Sequence, residues 1–318
     1  AWKAQLTGYY AELGLDASAS TPAVNRAPFA EAMCEIVEDL KPEVVSFQFG
    51  LPAQALLSRV KASGCLVLGS ATTVEEACWL EDNGCDAIVA QGYEAGGHRA
   101  MFLTDNPATQ SGTFALVPQV VDAVKVPVIA TGGIADGRGI AAAFALGAAG
   151  AQIGTAHLFM PGLLITDLHR AALSADRDDR TELTNVFTGR PARSLMNRVM
   201  REIGPMSEAE PEGPTAGGAL APLKEKAEAA TPTNAGVFGM TRITRIDSGR
   251  QDSIWVRVIP AAIEMIKCRV DKSSAISFST SSTVLGLTAR NIRSELRATS
   301  WLESVIRESV FSLKIGRA

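Results

Sequence analysis

Between residues 43 and 155, short apolar runs rich in Val and Ile alternate with longer amphipathic segments. The runs at 44–47, 65–68, 86–90, 127–130 and 151–153 predict strands. Helices are predicted over 53–62, 73–83, 117–124 and 137–146, with Gly64, Gly84 and Gly147 as stops and Thr72 or Thr73 as an N-cap. The strand runs lack polar alternation, which is the pattern of strands buried on both faces in a parallel sheet. One strand–helix unit recurs every 20–30 residues, so the fold class is α/β. Five strands fit a doubly wound sheet or part of a (β/α)8 barrel.

Further along, residues 164–175 and 192–202 are predicted helical, 204–218 a surface loop, and 220–230 a short helix. After residue 231 the periodicity weakens and Ser, Thr and Arg become frequent. One amphipathic helix is predicted there, over 291–313.

Composition and charge narrow the function classes. No stretch is long and apolar enough for a bilayer, and no secretory leader is visible at Ala1. Five cysteines without a CxxC pair suit free thiols in a cytoplasmic protein better than a disulfide framework. The net charge of −4 is unevenly spread: residues 231–318 hold 13 basic and 7 acidic side chains. No basic run of phosphate-tracking length occurs there, so no nucleic-acid partner is expected.

The candidate chemistry sits in loops that follow strands. QGYEAGGHRA, residues 91–100, ends the third strand and presents His98 after glycines at 92, 96 and 97. Glycines let a flat or phosphorylated ligand approach the backbone, and imidazole, with an ordinary pKa of about 6.5, suits proton transfer. VIATGGIADGR, 128–138, runs a strand into Gly132 and Gly133 and then a helix start that can hold a phosphate. AQIGTA, 151–156, adds Gly154 and the Thr155 hydroxyl one strand later. Paired glycine loops after the last strands of a barrel commonly take phosphate. His157 and His169 are expected in supporting or solvated positions. Three scattered histidines without a Cys/His cluster predict no metal site.

AQGYEAGGHRA, the segment from Thr113 to Ala156, and LTNVFTGRPAR resemble nitronate monooxygenases as an ordered set. The resemblance spans about residues 1–230. It implies an FMN-dependent (β/α)8 barrel that oxidises alkyl nitronates, such as propionate 3-nitronate, with dioxygen. It puts His98 on the family's catalytic histidine and Gly92 and Gly97 beside the FMN. Gly132, Gly133, Gln152, Ile153, Gly154 and Thr155 match segments that hold the FMN phosphate and ribityl chain. FMN-dependent enoyl-acyl-carrier-protein reductases share both glycine loops and the histidine. VVSFQFGLP and FTGRPARSLMNRVMRE favour the monooxygenase.

Two departures from the family pattern set further expectations. The run at 44–47 corresponds to the fourth barrel strand, which predicts that strands four to eight are represented and strands one to three are missing. This is an N-terminal truncation that would leave edges and core exposed. Residues 231–318 match nothing in the pattern and are expected to be an unassigned segment, frameshifted or appended. A non-catalytic fragment that retains the phosphate half of the site is then a further alternative. No oligomeric state is implied.

Overall fold

The computed structural model describes residues 1–21, 27–159, 165, 167–174, 181–209 and 216–229. Three helices, α1 (Trp2–Gln5), α2 (Thr7–Glu12) and α3 (Glu31–Leu40), precede the first strand, β1 (Val44–Phe47). Then come α4 (Gln54–Ala62), β2 (Leu66–Ala71), α5 (Val74–Asp82), β3 (Ala87–Gln91) and the two-residue β4 (Gly97–His98). After these lie α6 (Thr113–Ala123), β5 (Val128–Thr131), α7 (Gly137–Ala145) and β6 (Gly150–Gln152). The remaining elements are α8 (Asp167–Ser174), β7 (Thr181–Thr184), β8 (Ala192–Leu195), α9 (Arg198–Ile203) and α10 (Ala216–Ala229).

Five strands form one sheet in the order β1-β2-β3-β5-β6, and every neighbouring pair is parallel. The order follows the chain without reversal. A doubly wound sheet reverses its order at a switch point, so among the described residues the winding is that of a barrel. Val67, Ala71, Ile88, Ala90, Val128 and Ala130 pack with the helices. Leu68, Ala87, Val89 and Ile129 point the other way and form a separate buried cluster. Strands buried on both faces cannot alternate apolar with polar, which explains the continuous apolar runs.

Local chemistry sets the helix starts. Thr73 Oγ1 accepts from the Glu76 amide at 3.2 Å to cap α5, and Asp136 accepts from the amides of Arg138 and Gly139 to cap α7. Gly69 is required by packing: a Cβ there would lie 2.7 Å from a Leu80 methyl and 2.8 Å from the Cys85 sulfur.

A second core joins the first residues of the chain to late ones. Trp2, Leu6, Tyr9 and Tyr10 pack with Val186, Phe187, Val199, Met200, Leu220 and Leu223. Trp2 Nε1 donates to the Ala216 carbonyl at 3.2 Å, and the Tyr10 hydroxyl donates to the Ala219 carbonyl at 2.7 Å.

Several expectations need correction. The missing-strand expectation finds no support. The sheet face opposite the helices is not laid bare, since Leu68, Ala87, Val89 and Ile129 are at most 4% exposed. Residues 192–202 are not one helix: 192–195 form β8, paired with β4 and β7, and helix begins at Arg198. The α6 helix starts four residues earlier than predicted, at Thr113, and α10 extends back to Ala216 into the expected loop. The predicted helix at 291–313 and the segment 231–318 lie outside the described residues.

Candidate functional site

The parallel sheet ends in a polar row. Gln91, Thr131 and Gln152 stand in register on β3, β5 and β6, and Thr131 Oγ1 donates to the Gln152 carbonyl at 3.0 Å. Apolar side chains below and amide and hydroxyl groups above put a polar rim at the carboxyl ends of the strands, where such folds place their sites.

The loop after β3 is tied down by buried side chains. Gln91 donates from Nε2 to the His98 carbonyl at 3.0 Å and accepts from the Ala100 amide at 2.9 Å. Gln48 Nε2 reaches the same carbonyl at 3.4 Å. Arg99 is fully buried. Its guanidinium donates to the carbonyls of Gly92 (2.6 Å) and Gln91 (2.8 Å) and to Gln110 Oε1 (2.6 Å). Burial, with Arg193 nearby, lowers the Arg99 pKa to about 10, still high enough to keep the charge at neutral pH. Gln110 continues to Thr72 Oγ1 at 3.0 Å. Thr72 in turn donates to Glu76, which is buried and also accepts from the amides of Phe102 and Leu103. Both ends of the loop thus rest on one buried polar network, in which the low dielectric strengthens each bond.

On this base His98 is half-buried, in β4, which pairs antiparallel with β8. Its Nε2 lies 2.9 Å from Thr188 Oγ1, within hydrogen-bond distance. The Phe49 ring meets the imidazole edge-on, with centroids 6.0 Å apart and planes at 83°. Gly97, directly before it, has φ +80, a left-handed conformation that glycine adopts without a Cβ clash.

The glycines divide into two kinds. A Cβ on Gly92 would lie 1.9 Å from Thr113 Oγ1, so this glycine lets β3 meet the start of α6. Its amide already donates to the Thr131 carbonyl at 2.9 Å. Gly132, at φ +110, likewise presses on Thr113 and Ala95. Gly133, at φ +66, lies under the Glu94 side chain, and Glu94 accepts from the amide and hydroxyl of Thr113 at 2.7 and 2.9 Å. Gly154, by contrast, has nothing within 4 Å of where a Cβ would be, and Gly96 faces the Thr155 hydroxyl at 3.3 Å. Gly154 and Thr155 are exposed, and Ile153 is half-buried just below them. At the start of α7 the Asp136 carboxylate accepts from the amides of Arg138 and Gly139.

A family model described as nitronate monooxygenase matches residues 2–250. The chain belongs to the nitronate monooxygenase family. The match begins at residue 2, so the expected N-terminal truncation is not borne out, and it runs past residue 230. A probable nitronate monooxygenase of Staphylococcus aureus (strain Newman) is 43% identical over 185 residues, covering 57% of this chain and 52% of that protein. Another from Bacillus subtilis (strain 168) is 41% identical over 168 residues, covering 53% and 48%. The chain spans about half the length of these curated relatives. Among solved structures, the nitroalkane oxidase from Streptomyces ansochromogenes superposes with a TM-score of 0.65 at 37% identity, covering 76% of this chain and 69% of that one. FabK from Thermotoga maritima gives 0.51 at 28% identity, covering 79% and 76%. These likenesses agree with the α/β fold and its parallel sheet.

His98, Gly96, Gly97, Gly154 and Thr155 lie along the strand ends, and Gly92 and Gly132 pack closely against Thr113. Sequence reading had not singled out Arg99, Gln91, Gln110, Glu76 or Thr188. Arg99 adjoins His98 in the same motif, but a buried arginine has no periodic signature. Thr188 falls within the quoted LTNVFTGRPAR, and only tertiary pairing shows its partner. Among the described residues no group of three or more His, Cys, Asp or Glu can hold a metal ion, and no helix is long and apolar enough to cross a membrane. Cys34, Cys65, Cys78 and Cys85 are free thiols.

Proposed function

We propose that this chain oxidises alkyl nitronates with dioxygen, propionate 3-nitronate among them, and that it uses FMN. The carrying observation is a histidine fixed by main-chain and side-chain hydrogen bonds at the strand ends, beside an open glycine–threonine rim. Family membership supports the same reading. Gly154 and Thr155 suit the phosphate end of FMN, since no Cβ obstructs Gly154 and the Thr155 hydroxyl is exposed. Gly133, Gln152 and Ile153 suit the chain that follows, and Gly96 and Gly97 the approach of the ring. Bound flavin supplies the acceptor for electrons leaving the nitronate.

In this proposal His98 holds the nitronate in place and removes the α-proton when a neutral nitroalkane is offered instead. Phe49 walls the imidazole from water. Thr188 fixes the plane of the ring. The FMN-binding unit is assigned to residues 1–230, with 231–318 as a separate segment. Release of a stable product of that length on limited proteolysis is the expected result.

Purified protein should show the visible absorption of bound flavin. Anaerobic propionate 3-nitronate should bleach it without a nicotinamide. His98→Asn should lower kcat/KM for nitroethane about a hundredfold or more, with a smaller effect on the nitronate. Equal loss on both would remove the proton-abstraction role. Bleaching by NADH followed by turnover of an enoyl thioester would replace this function with the reductase. Absence of bound flavin and of nitronate turnover would leave a non-catalytic fragment.

A further inference from the structure

We propose that Arg190 is a specificity-determining residue that selects nitronates bearing a second negative group, a carboxylate. The inference rests on the nitronate reading of the His98 site and names the substrate class it prefers.

The argument begins at Phe49. It is a bulky residue at φ +67, in the left-handed region that such side chains rarely occupy. Strain of this kind persists where the surroundings over-determine it, and it gathers at functional sites. Phe49 presents its ring to two partners. One is the His98 imidazole, at 6.0 Å. The other is the Arg190 guanidinium, which lies over the ring at 4.5 Å from the centroid. One aromatic wall therefore carries the candidate reacting group and a fixed cation.

The cation and the histidine's partner share a turn. The Asn185 carbonyl accepts from the amides of Thr188 and Gly189 at 3.1 and 2.8 Å, and Thr188 Oγ1 reaches the Arg190 carbonyl at 3.3 Å. The hydroxyl beside His98 and the guanidinium over Phe49 are thus positioned as a unit. Arg59, Arg138 and Arg198 are each neutralised by a carboxylate, but among the described residues no Asp or Glu pairs with Arg190. Its side chain is exposed, so an incoming anion can reach it.

A guanidinium held over an aromatic ring keeps donors free for a planar carboxylate, a two-bond match that a lysine cannot reproduce. The stacking pre-pays part of the ordering cost. A nitronate with a carboxylated tail puts its reacting end at His98 and its tail at Arg190. A purely alkyl tail leaves the guanidinium unmatched.

The test is a ratio. In the flavin-loaded full chain, kcat/KM is measured for propionate 3-nitronate and for propyl-2-nitronate, with native protein, Arg190→Met and Arg190→Lys. The native protein is expected to prefer the carboxylated nitronate. Arg190→Met, which keeps an apolar cover on Phe49, is expected to cut that preference about tenfold, chiefly through KM. Arg190→Lys should retain part of it. A native protein that turns over both nitronates without preference, or a preference that survives Arg190→Met, overturns the proposal and leaves the nitronate reading standing. A flavin-loaded protein that binds and oxidises neither nitronate ends both.

Discussion

At the carboxyl end of β3, the loop from Gln91 to Ala100 is held from below by Gln91, Arg99 and Gln110, all linked to the buried Glu76. At the carboxyl end of β6, the segment from Gln152 to Thr155 is more open, and a Cβ on Gly154 would meet no atom within 4 Å. In the proposed function the first loop carries the group that must meet a small substrate in a fixed geometry. Misplacement by even an ångström costs rate there, so its support is over-determined. The second suits a ligand that brings its own rigid body and charge, for which open backbone and a hydroxyl are sufficient. Two loops that both read as glycine-rich in sequence therefore differ in kind.

The sharpest way to break this contrast is to remove the support under His98. Arg99→Met leaves the Gln91 and Gly92 carbonyls and Gln110 buried without their donor. A loss of about 3 kcal/mol is expected, read as a shift of the urea midpoint, and activity should fall even where the variant remains folded. An unshifted midpoint would show that the network is not load-carrying.

Two alanine substitutions compare the glycines directly. Gly92→Ala forces a Cβ onto Thr113 Oγ1 and should cost about 1–3 kcal/mol. Gly154→Ala meets open space and should stay within about 0.5 kcal/mol of the native protein, while weakening flavin binding measured by fluorescence titration. Equal stability losses at the two positions would erase the distinction between them.

The smallest effect concerns His157, two residues beyond Thr155. Burial lowers its pKa below the ordinary 6.5. The folded protein therefore binds this proton less readily than the unfolded chain. Stability from this group is fully present above about pH 6.5 and falls as pH drops through the depressed folded value. His157→Gln should flatten the fall in stability between neutral and mildly acidic pH. A native-like slope in the variant would assign the acid sensitivity elsewhere.

Much of this architecture was legible in sequence. The five parallel strands follow from apolar runs without alternation. The Thr73 cap follows from its place before an amphipathic segment, and the His98 loop from glycines after a strand. Residues 192–195 misled because their apolar spacing also fits a helix, and pairing with His98 and Thr184 overrode local preference. The second core was hidden because its halves, Trp2 to Tyr10 and Val186 to Leu223, are far apart in the chain and neither is periodic enough alone. Glu94, the acidic residue in the histidine loop, does structural work: its carboxylate accepts from the first amide of α6.

The short pairing of β4 with β8 has a consequence in time. Thr188 lies 90 residues beyond His98, so nothing made before it can finish the imidazole's surroundings. Contacts of such separation close late, because the intervening loop must first be ordered. During synthesis the sheet can assemble while the histidine still lacks the Thr188 hydroxyl and the strand it pairs with. The chain would gain its chemistry in a last step, when the segment around Thr188 and Ala192 docks beside the finished strands.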